Sequence, residues 1–247
     1  MNLIKEFLSL LVNTFQILNK IIGFYLFLSF VCDIFIFLEE IEDMLITVYN
    51  KHWNDVLICI MDKGSGDQSY CQKEDVVRIY DKKNNNTLGF NFLNIHKYIN
   101  DIHGDGPISL NEYDIQSLNK HLSYLNFKDV LYLDNSPKFV IGYVTKCIPH
   151  PNSDHMHICT VDVGKGKTLQ IVCGASNIAK DEKVVVSLIG AVMPSGKIIW
   201  PSKLRGINSN GMICSSYELG LTDHDEGHRI LVINDDLKIG SKFNFNN

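Results

Sequence analysis

The sequence predicts an α+β amino-terminal domain followed by an all-β barrel of the OB-fold type. Short β-rich runs with Gly, Pro or Asn between them recur from residue 44 to the end of the chain. Residues 109–125 instead place apolar side chains at helical spacing. We therefore expect three parts, which are an apolar extension at 1–43, a small α+β domain at 44–137 and an OB-fold domain at 138–247.

The composition is that of a globular protein. The 247 residues are 45% hydrophobic and 21% charged, which argues against a disordered chain or a polytopic membrane protein. The net charge of −5 excludes a globally basic nucleic-acid binder. Residues 138–247, however, hold twelve basic and ten acidic residues, so this part is favoured for meeting an anion. Seven Cys without a CxxC pair predict a reduced, cytoplasmic protein.

The first 43 residues contain an apolar run at 21–38 with a single charge, Asp33. This length is marginal for a transmembrane helix, and a carboxylate inside the bilayer is costly. Three interpretations stay open: a membrane anchor, an extra helix packed on the body of the protein, or a gene start placed too far upstream. We favour the third, because Met44 opens a strand pattern and would serve as the initiator.

The segment 44–137 has the pattern of a small mixed domain. Strands are predicted at 45–49, 56–61, 76–80 and 88–93. Ser109, with Glu112 three residues later, has the pattern of a capping box and would begin a helix. The apolar face of that helix would consist of Leu110, Ile115, Leu118, Leu122 and Leu125. No set of residues in this segment has the arrangement of a catalytic site.

The segment 138–247 has the pattern of a small barrel. Strands are predicted at 139–147, 157–163, 169–173, 183–188, 197–200 and 229–233, with Gly or Pro in nearly every gap. One helical insert is expected among them. Short strands at this spacing fit a closed barrel of the OB type, which presents its loops on one face.

One motif of this barrel is the loop 150–154, His-Pro-Asn-Ser-Asp. Pro fixes φ, and the Asn and Asp side chains bond to nearby backbone, so the loop should be rigid. Such a loop would hold amide and imidazole donors toward a phosphate or a base edge. A purely structural tight turn is the alternative interpretation.

A second motif follows further along the chain. Lys203 and Arg205 are expected to alternate on a strand, which would place both cations on one face and suit phosphate contact. A solvated strand face is the alternative. Ser209 and Ser215 would add neutral donors in the following loop and helix start, and Met212 would be either exposed or part of the core.

Taken in order, these motifs resemble a known domain. They read HPNSD at 150–154, ICTVDVG at 158–164, QIVCGA at 170–175 and KLRG at 203–206, and continue with Ser209, Gly211, Met212, Cys214, Ser215 and residues 218–220. This series resembles the tRNA-binding domain of bacterial phenylalanyl-tRNA synthetase beta chains, of some methionyl-tRNA synthetases and of free-standing tRNA-binding proteins. From Met44 onward, the preceding segment is similar to the extra domain of YtpR-type stand-alone tRNA-binding proteins. His155 and Ser176 depart from the pattern, in which Lys and Pro are common.

The resemblance implies a non-catalytic RNA-binding protein that recognises folded tRNA by shape and by phosphate contacts. The chain lacks the class-defining synthetase motifs and is too short for a synthetase, so we expect no enzymatic activity and no cofactor. The tRNA-binding residues implied by the resemblance are His150, Asn152, Asp154, Lys203, Arg205, Ser209, Met212 and Ser215. A homodimer is a further implication.

Two alternative functions stay open, and two weaker signals are set aside. The barrel would dock another protein in one alternative, and in the other a tRNA binder would be tethered to a membrane by residues 21–38. The GKGKT run at 164–168 lacks the first Gly of a phosphate loop. His155 and His157 lack complementary ligands at convincing spacing, so no metal site is expected.

Overall fold

The computed structural model describes residues 44–53, 55–225, 227–234 and 236–245. The three interpretations of residues 1–43, including the candidate span at 21–38, concern a segment outside these ranges. Within them, no helix combines the length and the apolar character that crossing a membrane requires. The described part is mostly β-structure with few helices, built on two main antiparallel sheets and a separate hairpin.

The first sheet has six strands. They are β1 (Ile46–Asn50), β2 (Val56–Ile60), β3 (Gln68–Lys73), β4 (Val76–Asp81), β5 (Thr87–Phe92) and β6 (Gly106–Pro107). They lie in the order β3-β4-β5-β2-β1-β6. The four predicted strands are confirmed, and each end moves by at most one residue. Strand β3 was not predicted, because its sequence QSYCQK has no apolar alternation to mark an exposed edge strand.

Helix α1 (Glu112–Tyr124) follows this sheet, and the predicted capping box at Ser109 and Glu112 is wrong. The box is formed by Asn111 and Asp114, each side chain accepting the other residue's backbone N–H, at 3.0 and 2.9 Å. The physical reason lies just before it. Ile108 still donates its backbone N–H to the Thr47 carbonyl of β1 at 3.0 Å, so the chain remains extended too long for Ser109 to cap a helix.

One face of α1 packs on the first sheet. Ile115, Leu118 and Leu122 are buried in one apolar cluster with Leu57 and Phe90 of the sheet. Full burial of each such side chain contributes about 1.5–3 kcal/mol. The helix therefore closes the core over this sheet, while its charged first turn stays at the surface.

The second sheet begins with a long strand. Its strands, together with a hairpin, are β7 (Phe139–Pro149), β8 (His157–Asp162), β9 (Thr168–Cys173), β10 (Lys183–Ser187), β11 (Ser202–Leu204), β12 (Ile207–Ser209) and β13 (Met212–Ile213). The sheet order is β13-β10-β7-β8-β9, and β11 pairs with β12 as the hairpin. Strand β7 pairs with β10 at residues 139–143 and with β8 at residues 143–149, and the pairing with β8 contains a bulge between Val144 and Lys146.

The two ends of this sheet approach each other and form a nearly closed barrel. Asn210, at the end of the hairpin, donates its backbone N–H to the Gln170 carbonyl of β9 at 2.9 Å. Ser209 Oγ accepts the backbone N–H of Val172 at 3.1 Å. Inside, a side chain at Gly142 would lie 2.6 Å from Val186 Cγ2, so only glycine fits where β7 crosses the barrel interior.

Three expectations for this part are corrected by the structure. The predicted strands at 197–200 and 229–233 make only the isolated bridges Val192–Ile198 and Val184–Val232. The apolar residues in these segments are buried, as Ile199 is, or half-buried, but the segments do not pair along a strand. The expected helical insert after Ser215 is a set of turns at 216–220 instead of a helix.

Candidate nucleic-acid interface

The first residue of the loop 150–154, His150, is buried beneath the loop and is only 3% exposed. His150 Nδ1 accepts the backbone N–H of Asn152 at 3.0 Å, and Nε2 lies 3.3 Å from the Leu204 carbonyl of β11. These two contacts match the neutral tautomer with hydrogen on Nε2. His150 therefore joins the loop to the hairpin, and its ring is not on the surface.

The β11–β12 hairpin turns at Arg205 and Gly206, which both have positive φ, 42° and 93°. Two consecutive residues of this kind make the two-residue turn that best matches the twist of paired strands. The prediction that Arg205 lies on a strand beside Lys203 is therefore wrong. At the tip of the hairpin, Arg205 Nη1 donates to the Asn152 carbonyl at 2.7 Å and makes a second link to the loop.

The loop and the hairpin together make one exposed surface, which we call the loop–hairpin surface: residues 150–156 and 202–209. Asn152, Asp154, Lys203 and Arg205 are exposed on it. Among the residues that the structure describes, the Lys203 ammonium has no hydrogen-bond or ion-pair partner. The hydrogen bond from His155 Nδ1, at 2.9 Å, lowers the pKa of Asp154 below its ordinary value.

Ser209 lies inside this surface and is 2% exposed. Its hydroxyl donates to the Gly211 carbonyl at 3.2 Å and accepts the backbone N–H of Val172 at 3.1 Å. Both hydroxyl functions are thus used within the protein. Ser209, like His150, holds the hairpin against the barrel, whereas Met212 and Ser215 are half-buried further along.

A groove of about 540 Å³ borders the loop–hairpin surface at His155. Its walls include Met212, Ser215, Tyr217 and Arg229, and its floor is apolar. The structure therefore brings the predicted residues Met212 and Ser215 together with Arg229, which was not among the predicted tRNA-binding residues. The sequence offered only a weak signal for Arg229, a single cation at the start of the apolar run 229–233, and that run was predicted to be a strand.

The groove carries charges of both signs. Glu218 Oε2 accepts the backbone N–H and the hydroxyl of Ser215, at 2.9 and 3.0 Å, and Asp225 pairs with His228 at 3.2 Å. In contrast, the Arg229 guanidinium has no hydrogen-bond or ion-pair partner in the described part of the chain. Arg229 is thus an available donor for an anionic group in this groove.

The thiol nearest to the groove has the wrong chemistry for a nucleophile. Cys173 lies in the groove wall and is buried. Burial raises the pKa of the Cys173 thiol, so it stays protonated near neutral pH. The described residues also contain no group of three or more His, Cys, Asp or Glu that could hold a metal ion.

Comparison with known families finds two matching domains. A family described as "Putative tRNA binding domain" matches residues 139–242, and a domain of unknown function, DUF4479, matches residues 63–134. The "Putative tRNA-binding protein YtpR" of Bacillus subtilis (strain 168) is 42% identical over 199 residues. That match covers 80% of this chain and 98% of the Bacillus protein.

Other relatives share only part of their length with this chain. The phenylalanine–tRNA ligase beta subunit of Oceanobacillus iheyensis is 47% identical over 115 residues, which are 44% of this chain and 14% of the subunit. The corresponding subunit of Sulfurimonas denitrificans is 56% identical over 90 residues, 36% of this chain and 11% of the subunit. The chain therefore spans a small fraction of the ligase subunits that it matches.

Proposed function

We propose the function of this chain from its family: the chain belongs to the YtpR-type family of tRNA-binding proteins, and it binds tRNA without catalysing a reaction. The observation that carries this conclusion is the identity of 42% along 98% of the Bacillus protein. The match of residues 139–242 to a tRNA-binding domain supports placing the binding in the segment that contains the second sheet.

We further propose that folded tRNA is recognised by its shape and by contacts to its phosphates. The two links between loop and hairpin support this mode, because they hold the loop–hairpin surface in one arrangement before RNA arrives. Lys203 and Arg205 would contact phosphates, and Asn152 would donate to the backbone or a base edge. Asp154 would accept hydrogen bonds from ribose hydroxyls or base amino groups.

The remaining predicted residues divide by burial. Met212 and Ser215 both line the groove, and Met212 would contact RNA there. The Ser215 hydroxyl donates to Glu218 Oε2 at 3.0 Å and accepts the Glu218 backbone N–H at 3.1 Å, so Ser215 would act by shaping the groove wall. His150 and Ser209 would act indirectly, because their polar atoms are already engaged inside the protein. We accordingly propose that they position the loop and the hairpin rather than touch RNA.

The proposed architecture is an α+β domain at 44–137 and an OB-fold barrel at 138–247. The barrel assignment is supported by the strand order β13-β10-β7-β8-β9 with its ends joined through Asn210 and Gln170. The assignment of 44–137 as an α+β domain is supported by the packing of α1 on the six-stranded sheet. We also propose a cytoplasmic location, supported by free thiols at every described cysteine. The homodimer stays a prediction.

The test is a comparison of affinities at several salt concentrations. The whole chain should bind a folded tRNA more tightly than an RNA duplex of equal length, measured by fluorescence polarisation. With three to four phosphates neutralised, log K should fall by roughly 0.7–0.9 per phosphate for each tenfold rise in salt. Equal affinity for the two RNAs would contradict recognition by shape.

A further inference from the structure

We propose that the groove beside the loop–hairpin surface receives a single unstacked nucleotide of the bound RNA. The base would stack on Tyr217 next to Met212, and its phosphate would meet Arg229. This inference rests on the proposed function, since it names the part of the RNA that the groove would take. Here we call this site the Tyr217 groove.

The size and the apolar floor of the groove fit such a ligand. Its volume of about 540 Å³ lies within the range of small-molecule sites, roughly 300–1,000 Å³. Val172, Ile213 and Ile230 form apolar parts of its lining. A base has two apolar faces and a polar edge, so an apolar floor with polar walls matches its chemistry.

Tyr217 is presented as a stacking surface. Its side chain is 51% exposed, and it lines both this groove and a neighbouring cavity of about 230 Å³. The turn that carries it is held at both ends, by the Ser215–Glu218 hydrogen bonds and by buried Leu219. An aromatic ring on a fixed turn with open space beside it suits the stacking of an unpaired base.

Arg229 is the groove's cation, and its backbone position is clamped. The next residue, Ile230, donates its N–H to Asn177 Oδ1 at 2.9 Å, and the Ile230 carbonyl accepts from Asn177 Nδ2 at 3.1 Å. Leu231 donates to the Cys214 carbonyl at 2.9 Å. Arg229 also lines both cavities with Tyr217. A guanidinium without a partner in the described chain, next to an exposed ring, can hold a phosphate while the base stacks.

The carboxylates in the groove indicate which bases would be preferred. Glu218 and Asp225 lie in the lining, and carboxylates accept hydrogen bonds from exocyclic amino groups. A nucleotide with an amino group, such as cytidine or adenosine, should therefore bind better than uridine. The groove thus combines one stacking ring, one cation and acceptors for a base edge.

The first experiment measures the affinity of Tyr217→Leu for a folded tRNA. Loss of stacking on one base should weaken binding by roughly 5- to 150-fold. Tyr217→Phe keeps the ring and should recover most of the loss. The matched control is Tyr70→Leu, which removes a tyrosine that is 68% exposed on β3 of the first sheet and should leave the affinity unchanged.

The second experiment locates the contact directly in the wild-type protein. After ultraviolet crosslinking to the folded tRNA, trypsin should release residues 206–229 as one peptide, because no Lys or Arg interrupts it. We expect a nucleotide adduct on Tyr217, with cytidine or adenosine as the nucleotide. Arg229→Gln should lower the salt slope of log K by roughly 0.7–0.9, whereas Tyr217→Leu should not change it.

The outcomes separate this inference from the function it rests on. If wild-type protein binds folded tRNA but Tyr217→Leu binds equally well and the adduct lies in another peptide, the Tyr217 groove is not a nucleotide site. If the wild-type protein does not bind folded tRNA, the proposed function fails and the groove assignment fails with it. Should Tyr217→Leu unfold, the wild-type crosslink still decides.

Discussion

The two sheets use their charged side chains in opposite ways, and the three arginines of the chain show the difference. Arg78, in the first sheet, donates to Thr87 Oγ1 and to the Asn85 carbonyl, each at 2.7 Å, and pairs with Asp129 at 3.6 Å. Arg205 makes one hydrogen bond, and Arg229 makes none to the described residues. The guanidinium of the first sheet is thus bound by neighbouring groups of the protein, whereas the two arginines of the barrel are exposed.

The same difference appears among the acids. Asp75 in the first sheet is 13% exposed and accepts from Tyr98, from His121 Nε2 at 3.1 Å and from Lys97 Nζ at 3.4 Å. Asp154 of the barrel is 94% exposed and, among the residues that the structure describes, its carboxylate pairs only with its neighbour His155. From this comparison we expect charge to contribute to stability in the first sheet and, under the proposed function, to binding in the barrel. The two functions should therefore respond to different substitutions.

The largest effect is expected on stability, from Asp75→Ala. The change leaves the Tyr98 hydroxyl and the His121 ring without their acceptor, and each unsatisfied buried group costs about 1–3 kcal/mol. Because Tyr98 and His121 are half-buried rather than fully buried, we expect the lower end of the combined cost, so the free energy of unfolding, measured in urea, should fall by about 2–3 kcal/mol in total. Affinity for folded tRNA should stay the same.

The matched control is Asp67→Ala, since Asp67 is 77% exposed and its carboxylate pairs, within the described part of the chain, only with Lys82, itself 52% exposed. Its stability should stay within about 0.5 kcal/mol of wild type. If Asp75→Ala weakened tRNA binding without lowering stability, the separation between the two sheets would be broken.

A smaller effect, on affinity alone, is expected from Lys203→Ala combined with Arg205→Ala. Each lost phosphate contact should lower the salt slope of log K by roughly 1, so the double variant should lose about 2. The unfolding free energy should change by less than about 1 kcal/mol, because both side chains are exposed. Fluorescence polarisation across a salt series measures the slope.

The control for that variant removes the same charge from the first sheet. Lys63→Ala with Lys83→Ala removes two exposed lysines that lie in connections between strands of the first sheet, outside the barrel. An equal loss of affinity in both double variants would show that total charge, rather than the loop–hairpin surface, governs binding.

The smallest effect is an acid sensitivity that belongs to the first sheet. Burial alone would raise the pKa of Asp75, but hydrogen bonds from Tyr98 and His121 outweigh burial and lower it. The carboxylate therefore stabilises the fold fully above its unfolded pKa of about 3.9, and this contribution is lost as the pH falls through the lower folded pKa. Asp75→Asn should lose less stability than wild type between neutral pH and about pH 3. Equal losses in urea unfolding would assign the acid sensitivity to other groups.

Much of the fold could be predicted because its signals are local. The strands β1, β2, β4 and β5 each alternate or cluster apolar residues between turn formers, and their ends were placed within one residue. The segments 197–200 and 229–233 carry the same apolar signal but find no partner strand along their length. A run of apolar residues determines that a segment is buried, and its neighbours determine whether it pairs.

The candidate site shows the same limit. The sequence predicted one set of binding residues, and the structure shows that loop 150–154 contacts the hairpin through His150 and Arg205. Their individual orientation was not predictable. His150 faces inward because Leu204, 54 positions later, offers a carbonyl to its ring, and Arg205 leaves the strand because the chain turns there.

By itself, the sequence determined the family, the class of ligand and the segments that become strands, because each depends on short motifs and local apolar patterns. Only the tertiary structure decided which of the motif's polar side chains are exposed and which are buried. Burial depends on groups far along the chain. The Ser209 hydroxyl accepts the backbone N–H of Val172, and Arg229 lines the same groove as Tyr217. Such contacts form only when the barrel closes, and no local pattern records them.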